Sequence, residues 1–315
     1  MKQLRLIGPL ALLLWSCHGE PRLIEVPSPQ QPYLVVLGTV QDAGSPQLGC
    51  TKSCCIDLYE QANKDRKVVS LGLIDPNEHR KYIFDASPDF TQQWYQLAQL
   101  DTASNKIDGI FITHAHIGHY LGLAQLGKEA LDASEVPVYA MPRLTQYLEK
   151  NGPWSLLVER ENIQLQAREN QSTVILTKGL SVTPILVPHR DEFSETVGFR
   201  IKGPNKTALY IPDIDKWSKW DRDIIQELDS VDYAFLDATF FDGAEINHRD
   251  ISQIPHPFVI ESMTLFEKLT AAQKRKIVFI HFNHTNPLLQ PKSPESQAVL
   301  KAGFRIARIG DIFLL

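Results

Sequence analysis

Three histidines within six residues, His114, His116 and His119, follow an apolar, β-branched run, Ile110-Phe111-Ile112-Thr113. The run reads as a buried strand, entered through the turn-like Asn105-Lys106-Ile107-Asp108-Gly109. Leu121-Gly122-Leu123-Ala124-Gln125-Leu126 then reads as a helix start. A strand that ends in His-x-His and turns into a helix at a third His directs three imidazoles into one small volume. Neutral imidazole is the commonest side-chain ligand for zinc and iron, and few other tasks need three together. The bland alternative is a set of surface or core histidines with no shared task, and the spacing directly after a strand disfavours it.

The surrounding chain alternates strand-like and helix-like runs. Strands are expected over residues 34–39, 68–74, 81–84, 136–140, 180–187, 196–201, 207–212, 233–236 and 277–280, with short strands in 304–315. Ser87-Pro88-Asp89 caps a helix running to about Leu100, and further helices are expected over 142–149, 221–228 and 260–272. Asp85, His114, His189, Asp213, Asp237 and His281 each sit just after an apolar strand. Ligand-type residues at successive strand ends converge on one rim of a sheet, which is how layered α/β folds build sites. Loop polarity alone explains one or two such residues; it does not select His and Asp over Lys, Glu, Ser and Thr.

A second cluster, Cys50-Thr51-Lys52-Ser53-Cys54-Cys55, follows the first expected strand. Adjacent cysteines pair only with strain, and three is an odd number for disulfides. A metal site absorbs three thiolates and wants one more ligand. Reduced structural thiols, or a Cys50–Cys54 or Cys50–Cys55 disulfide, are the alternatives, and an oxidising compartment favours the disulfide.

Upstream, Lys2 and Arg5 precede a short apolar stretch, Leu6 to Leu14, interrupted by Gly8-Pro9. Leu14-Trp15-Ser16-Cys17 resembles a bacterial lipobox, which implies lipidation at Cys17 and an envelope location, periplasmic or outer-membrane associated. The stretch is too short to span a bilayer. Residues 18–32 carry four prolines and suit an extended tether, leaving 33–315 as a single folded domain. The formal net charge of −5 and the lack of any basic run argue against a nucleic-acid partner. The expected partner is a small-molecule substrate, with membrane contact only through the anchor; oligomeric state is not legible.

The histidine stretch resembles the His-x-His-x-Asp-His signature of the metallo-β-lactamase superfamily, with Gly118 where that family has aspartate. The resemblance runs from about Tyr33 to Leu315 and implies a four-layer αββα sandwich. It implies a first metal held by His114, His116, His189 and Asp213, and a second held by His119, His281 and Asp213. The second site then lacks the carboxylate replaced by Gly118, for which Asp85, Asp89 and Asp237 are the first substitutes. Asp85 resembles the superfamily residue that holds a ligand histidine in place, with a helix-cap carboxylate as the alternative. Phe282-Asn283-His284-Thr285-Asn286-Pro287-Leu288, the Gln41–Cys50 stretch and Asp237-Ala238-Thr239-Phe240 are similar to the pyrroloquinoline-quinone biosynthesis protein B family. Cys50, Cys54, Cys55 and His284 match the structural zinc site of the cyclic phosphodiesterases of phosphonate breakdown, which favours zinc over a disulfide. His256, in Ile-Pro-His-Pro-Phe, occupies the place of a catalytic histidine in hydrolytic relatives.

The leading expectation is therefore a metal-dependent hydrolase using a metal-activated water on a phosphodiester or related ester. The resemblance implies Asp213 and His256 as the catalytic residues, with a structural role in the loop as the alternative for His256. One or two catalytic metals are expected, zinc first with manganese or iron as the other candidates, beside one structural zinc. A site of two imidazoles and one carboxylate would instead suit a non-haem iron oxidative enzyme. A metal-binding protein without turnover is the third reading. If Cys17 carries a lipid, Cys17→Ser should move the protein from the membrane to the soluble fraction; equal partition of both forms would remove the anchor.

Overall fold

Tyr33–Gly38 (β1) is buried at every position, so both of its faces must pack against protein. Its side chains alternate accordingly. Tyr33, Val35 and Leu37 join an outer cluster with Phe90 and Leu97, while Leu34 and Val36 join an inner one with Phe84, Phe111, Phe199, Tyr210 and Phe235. A continuous apolar strand of this kind belongs in the middle of a layered structure. The computed structural model describes residues 29–246 and 250–315. Cys17, the expected leader and most of the expected tether lie outside them.

After β1 the first sheet adds β2 (Ser70–Asp75), β3 (Arg80–Phe84), β4 (Gly109–Phe111), β5 (Val136–Ala140) and β6 (Ile163–Ala167). The second sheet comprises β7 (Val174–Thr177), β8 (Leu180–Leu186), β9 (Val197–Lys202), β10 (Thr207–Ile211), β11 (Tyr233–Asp237), β12 (Ile277–Ile280) and β13 (Arg305–Ile306). β14 (Ile312–Leu314) returns to the first sheet beside β1, giving the orders β14-β1-β2-β3-β4-β5-β6 and β13-β12-β11-β10-β9-β8-β7. Helices α1 (Phe90–Leu100), α2 (Ile117–Tyr120), α3 (Pro142–Lys150) and α4 (Trp154–Glu159) accompany the first sheet. Helices α5 (Ile224–Asp229), α6 (Val259–Leu265), α7 (Ala271–Lys274) and α8 (Pro294–Lys301) accompany the second. One apolar cluster fills the space between the sheets and two others lie beneath the helices, so the layers run α, β, β, α, the expected sandwich. No helix among the described residues is long and apolar enough to cross a membrane.

Topology places the site. β3 to β6 pair in parallel, as do β10 to β13, so each sheet turns the carboxyl ends of successive strands to one edge. The strand-end residues singled out in the sequence all leave along these edges.

Some local expectations differ from the structure. Residues 260–272 form two helices, because Thr270 opens a new cap in which its hydroxyl accepts from Gln273 N. The helix expected from 221 begins at Ile224, where the Asp223 carboxylate accepts from Ile225 N. After the third histidine the chain makes only one α-turn and then 3-10 turns over Leu121–Leu126. Strands β6 and β7 and helices α4 and α8 were not anticipated.

Candidate metal centre

The end of β4 is fixed before any histidine begins. Thr113 donates its backbone N–H and its hydroxyl to Asp85 Oδ1 at 2.8 and 2.9 Å, and Val197 N donates to Thr113 O at 3.1 Å. Asp85 itself leaves β3 with φ of 66°, and His281 leaves β12 with φ of 68°. L residues other than glycine seldom adopt this left-handed conformation, and it gathers at functional sites. Here it accompanies two fully buried polar side chains with specific partners.

Asp213 Oδ2 is the common point of the centre. It lies 3.4 Å from His114 Nε2, 3.9 Å from His116 Nδ1 and 3.2 Å from His189 Nε2. On its other side it lies 3.9 Å from His119 Nε2 and 4.0 Å from His281 Nε2. Three ligand-type groups share this residue: His114, His116, His189 and Asp213; Asp42, His119, Asp213 and His281; and Asp213, Asp237 and His256. The outward ring nitrogens are already committed. His114 Nδ1 faces the Thr113 hydroxyl at 2.9 Å, His119 Nδ1 the Asp85 carboxylate at 2.8 Å, His189 Nδ1 Asp215 at 3.3 Å and His281 Nδ1 the Thr239 hydroxyl at 2.9 Å. Such outer contacts fix the tautomer and aim the opposite nitrogen inward.

The inward atoms fit a metal and fit little else. His119 Nε2, His189 Nε2, His281 Nε2, Asp42 Oδ1 and Asp213 Oδ1 are buried without a hydrogen-bond partner. Each orphaned buried polar group costs roughly 1–3 kcal/mol, so five around one point call for a shared counterpart. Burial would raise the Asp213 pKa, yet His189, His256 and His281 hold it well below the usual carboxylate range. Burial likewise opposes charge on His119, but Asp85 and Asp42 hold its pKa well above the ordinary value. The field that draws protons onto these rings draws a divalent cation in the same way, and binding it would release those protons.

Asp42 is the residue that sequence reasoning missed: the structure sets its carboxylate beside the His119 and His281 rings, where only Asp213 was expected. Its Oδ1 lies 2.8 Å from His119 Nε2 and 3.7 Å from His281 Nε2. The three substitutes considered from sequence have other tasks. Asp85 orients His119, Asp89 Oδ2 accepts from Val68 N at 2.7 Å, and Asp237 faces His256. The available signal was Asp42's place in the Gln41–Cys50 stretch just after β1, a strand end like the others.

His256 enters from the loop before α6. Its Nδ1 lies 2.9 Å from Asp237 Oδ2 and 3.1 Å from Asp213 Oδ1. Asp237 is itself held by Ile214 N, Thr239 N and the Thr239 hydroxyl. Nε2 is therefore the ring's available edge beside the centre.

The cysteine cluster forms a separate group: Cys50, Cys54, Cys55 and His284 present their ligand atoms within 4.8 Å of one another. The three cysteines are free thiols, with Sγ separations of 3.9 Å from Cys54 to both Cys50 and Cys55. Burial and the neighbouring Cys55 push the Cys54 thiol up to about 12, a crowding that a cation would relieve. His284 Nδ1 sits 3.0 Å from Asn283 Oδ1, which leaves Nε2 as the lone-pair nitrogen.

Comparison with known proteins adds kinship to geometry. A family model described as "Beta-lactamase superfamily domain" matches residues 80–282. The chain is 25% identical over 306 residues to coenzyme PQQ synthesis protein B of Gluconobacter oxydans, covering 90% of this chain and 98% of that one. Among solved structures, zinc-bound PqqB from Methylobacterium extorquens superposes with a TM-score of 0.74 at 23% identity, covering 90% and 100% of the two chains. A diphosphatase of the PhnP family superposes with a TM-score of 0.62 at 22% identity, covering 90% and 97%. At these identities the structural likenesses speak for the fold.

If the thiol cluster holds a structural zinc, His284→Ala should lower the zinc content by one equivalent and lower thermal stability, leaving the histidine centre loaded. The loss should be on the order of several kcal/mol. A Cys50–Cys54 or Cys50–Cys55 disulfide in the purified protein would contradict this.

Proposed function

We infer the function from kinship and site together: the chain belongs to the beta-lactamase superfamily domain family, and it acts as a metal-dependent hydrolase on a phosphodiester or a related ester. The observation that carries this reading is the set of five partnerless buried atoms gathered around Asp213. A divalent metal bound there would supply Lewis acidity and lower the pKa of a coordinated water. His114, His116, His189 and Asp213 would hold one metal, and His119, His281 and Asp213 a second.

The remaining chemistry is done by the chain's own groups. Asp213 Oδ2 faces both ligand sets, so it would help to hold metal in each and orient an attacking water. Asp237 holds His256 by Nδ1 and, with the nearby Asp213 charge, stabilises its protonated ring, leaving Nε2–H to give its proton to the departing oxygen. Arg190 Nη2, 3.5 Å from His116 Nε2, puts a guanidinium at the rim, which suits an anionic ester. The phosphate class also draws on the fold likeness to the PhnP-family diphosphatase.

A second reading, an oxidative non-haem iron enzyme, draws on the similarity to coenzyme PQQ synthesis protein B. Its chemical argument was a site of two imidazoles and one carboxylate. Asp42 gives that set a second carboxylate, which removes the particular reason for preferring iron.

Zinc- or manganese-loaded protein should hydrolyse a generic aryl phosphodiester such as bis(4-nitrophenyl) phosphate. His256→Ala should lower kcat by roughly 10²–10⁴-fold with metal content unchanged. Absence of hydrolysis in both loaded forms, or turnover that requires iron and dioxygen, would contradict the reading.

A further inference from the structure

We propose that Asp42 is a ligand of the second metal, and that Asp42 and residue 118 are alternative sources of the same carboxylate. The proposal rests on the metal-hydrolase reading and concerns how this chain completes its centre.

The first observation is steric. A Cβ built at Gly118 would lie 2.3 Å from Asp42 Oδ1, 2.5 Å from Asp42 Cα and 2.8 Å from Asp42 Cγ. Two of these atoms belong to the carboxyl and the third is backbone, so a small rotation of Asp42 could not make room. Gly118 shows no left-handed φ, which means that close approach, and not backbone conformation, explains the glycine. The second observation is the state of the atoms concerned. Asp42 Oδ1 lies 2.8 Å from His119 Nε2 and 3.7 Å from His281 Nε2, yet none of the three atoms makes a hydrogen bond of good geometry. An oxygen placed between two imidazole nitrogens without hydrogen-bond geometry is arranged for a common ion.

The backbone explains how a distant loop delivers this group reliably. Phe282 N donates to Thr39 O at 2.7 Å and Gln41 N donates to Phe282 O at 2.8 Å, around a parallel bridge between Val40 and Phe282. Asp42 and His281 therefore leave one short ladder on neighbouring chains. Further along the same two segments, Cys50 and His284 come together again in the thiol cluster. A side chain at position 118 and Asp42 cannot both occupy the space, so an aspartate introduced there displaces Asp42 and does not add to it.

The test is equilibrium dialysis against buffered zinc, with total metal counted per chain. The proteins are wild type, Asp42→Asn and Gly118→Asp. Wild type should bind three zinc ions: one at the thiols and two at the histidines. Asp42→Asn, which keeps the side-chain shape, should retain two and bind the last roughly 100-fold or more weakly. Gly118→Asp alone should bind the last zinc no better than wild type. The two zinc ions that Asp42→Asn keeps would show that the fold is intact and that the loss is confined to the second site. Wild-type affinity for three zinc ions in Asp42→Asn, or tighter binding in Gly118→Asp, would overturn the proposal alone. Wild type with no zinc at the histidines would overturn it together with the hydrolase reading.

Discussion

A buried carboxylate with five imidazole nitrogens around one oxygen is the constraint on which this molecule depends. Asp213 is 2% exposed, and taking an ionised carboxylate out of water costs several kcal/mol unless the surroundings return it. Both sheets contribute to that return. His114, His116 and His119 come from the β4 exit of the first sheet, while His189, Asp213 and His281 come from the β8, β10 and β12 exits of the second. The αββα layering is what brings two separate strand edges to the same point.

Around that point the protein repeats one device. A carboxylate or hydroxyl grips the outer nitrogen of a histidine so that the inner one is aimed. Asp85 does so for His119, Asp215 for His189, Thr239 for His281, Thr113 for His114 and Asp237 for His256. Asp85 also accepts the Thr113 N–H, which connects the position of β4 to the orientation of a histidine six residues further on. The first loop makes the same connection on a larger scale. Residues 39–41 bridge to Phe282, and the thiol cluster joins the far end of that loop to the segment after β12. Orientation and chain fold are thus set by the same contacts.

Much of this was legible in the sequence, for identifiable reasons. The strand at Tyr33–Gly38 and the strand at Ile277–Ile280 are continuous apolar runs, so burial on both faces shows without any periodicity. The histidine stretch, the His and Asp residues at strand ends and the Cys50–Cys55 cluster carry chemistry in their spacing. What stayed hidden depends on contacts between distant segments. Strand β6, Ile-Gln-Leu-Gln-Ala, is only partly buried and reads as a polar stretch. The break between α6 and α7 is by contrast local, a capping box of Thr270 and Gln273 inside a run that otherwise reads as one helix. Gly118 carried a real signal, the loss of a side chain, but its partner Asp42 lies 76 residues earlier in the numbering and only the folded chain sets the two in contact.

The central claim is that Asp213 divides one cluster into two metal positions. Diffraction from crystals of zinc-loaded protein, collected on both sides of the zinc absorption edge, tests it most directly. The account predicts two anomalous peaks about 3.5–4 Å apart on either side of Asp213 Oδ2, as in two-metal hydrolytic sites. It predicts a third peak, well separated, among Cys50, Cys54, Cys55 and His284. A single peak among His114, His116 and His189, with none between Asp42, His119 and His281 at saturating zinc, would contradict it.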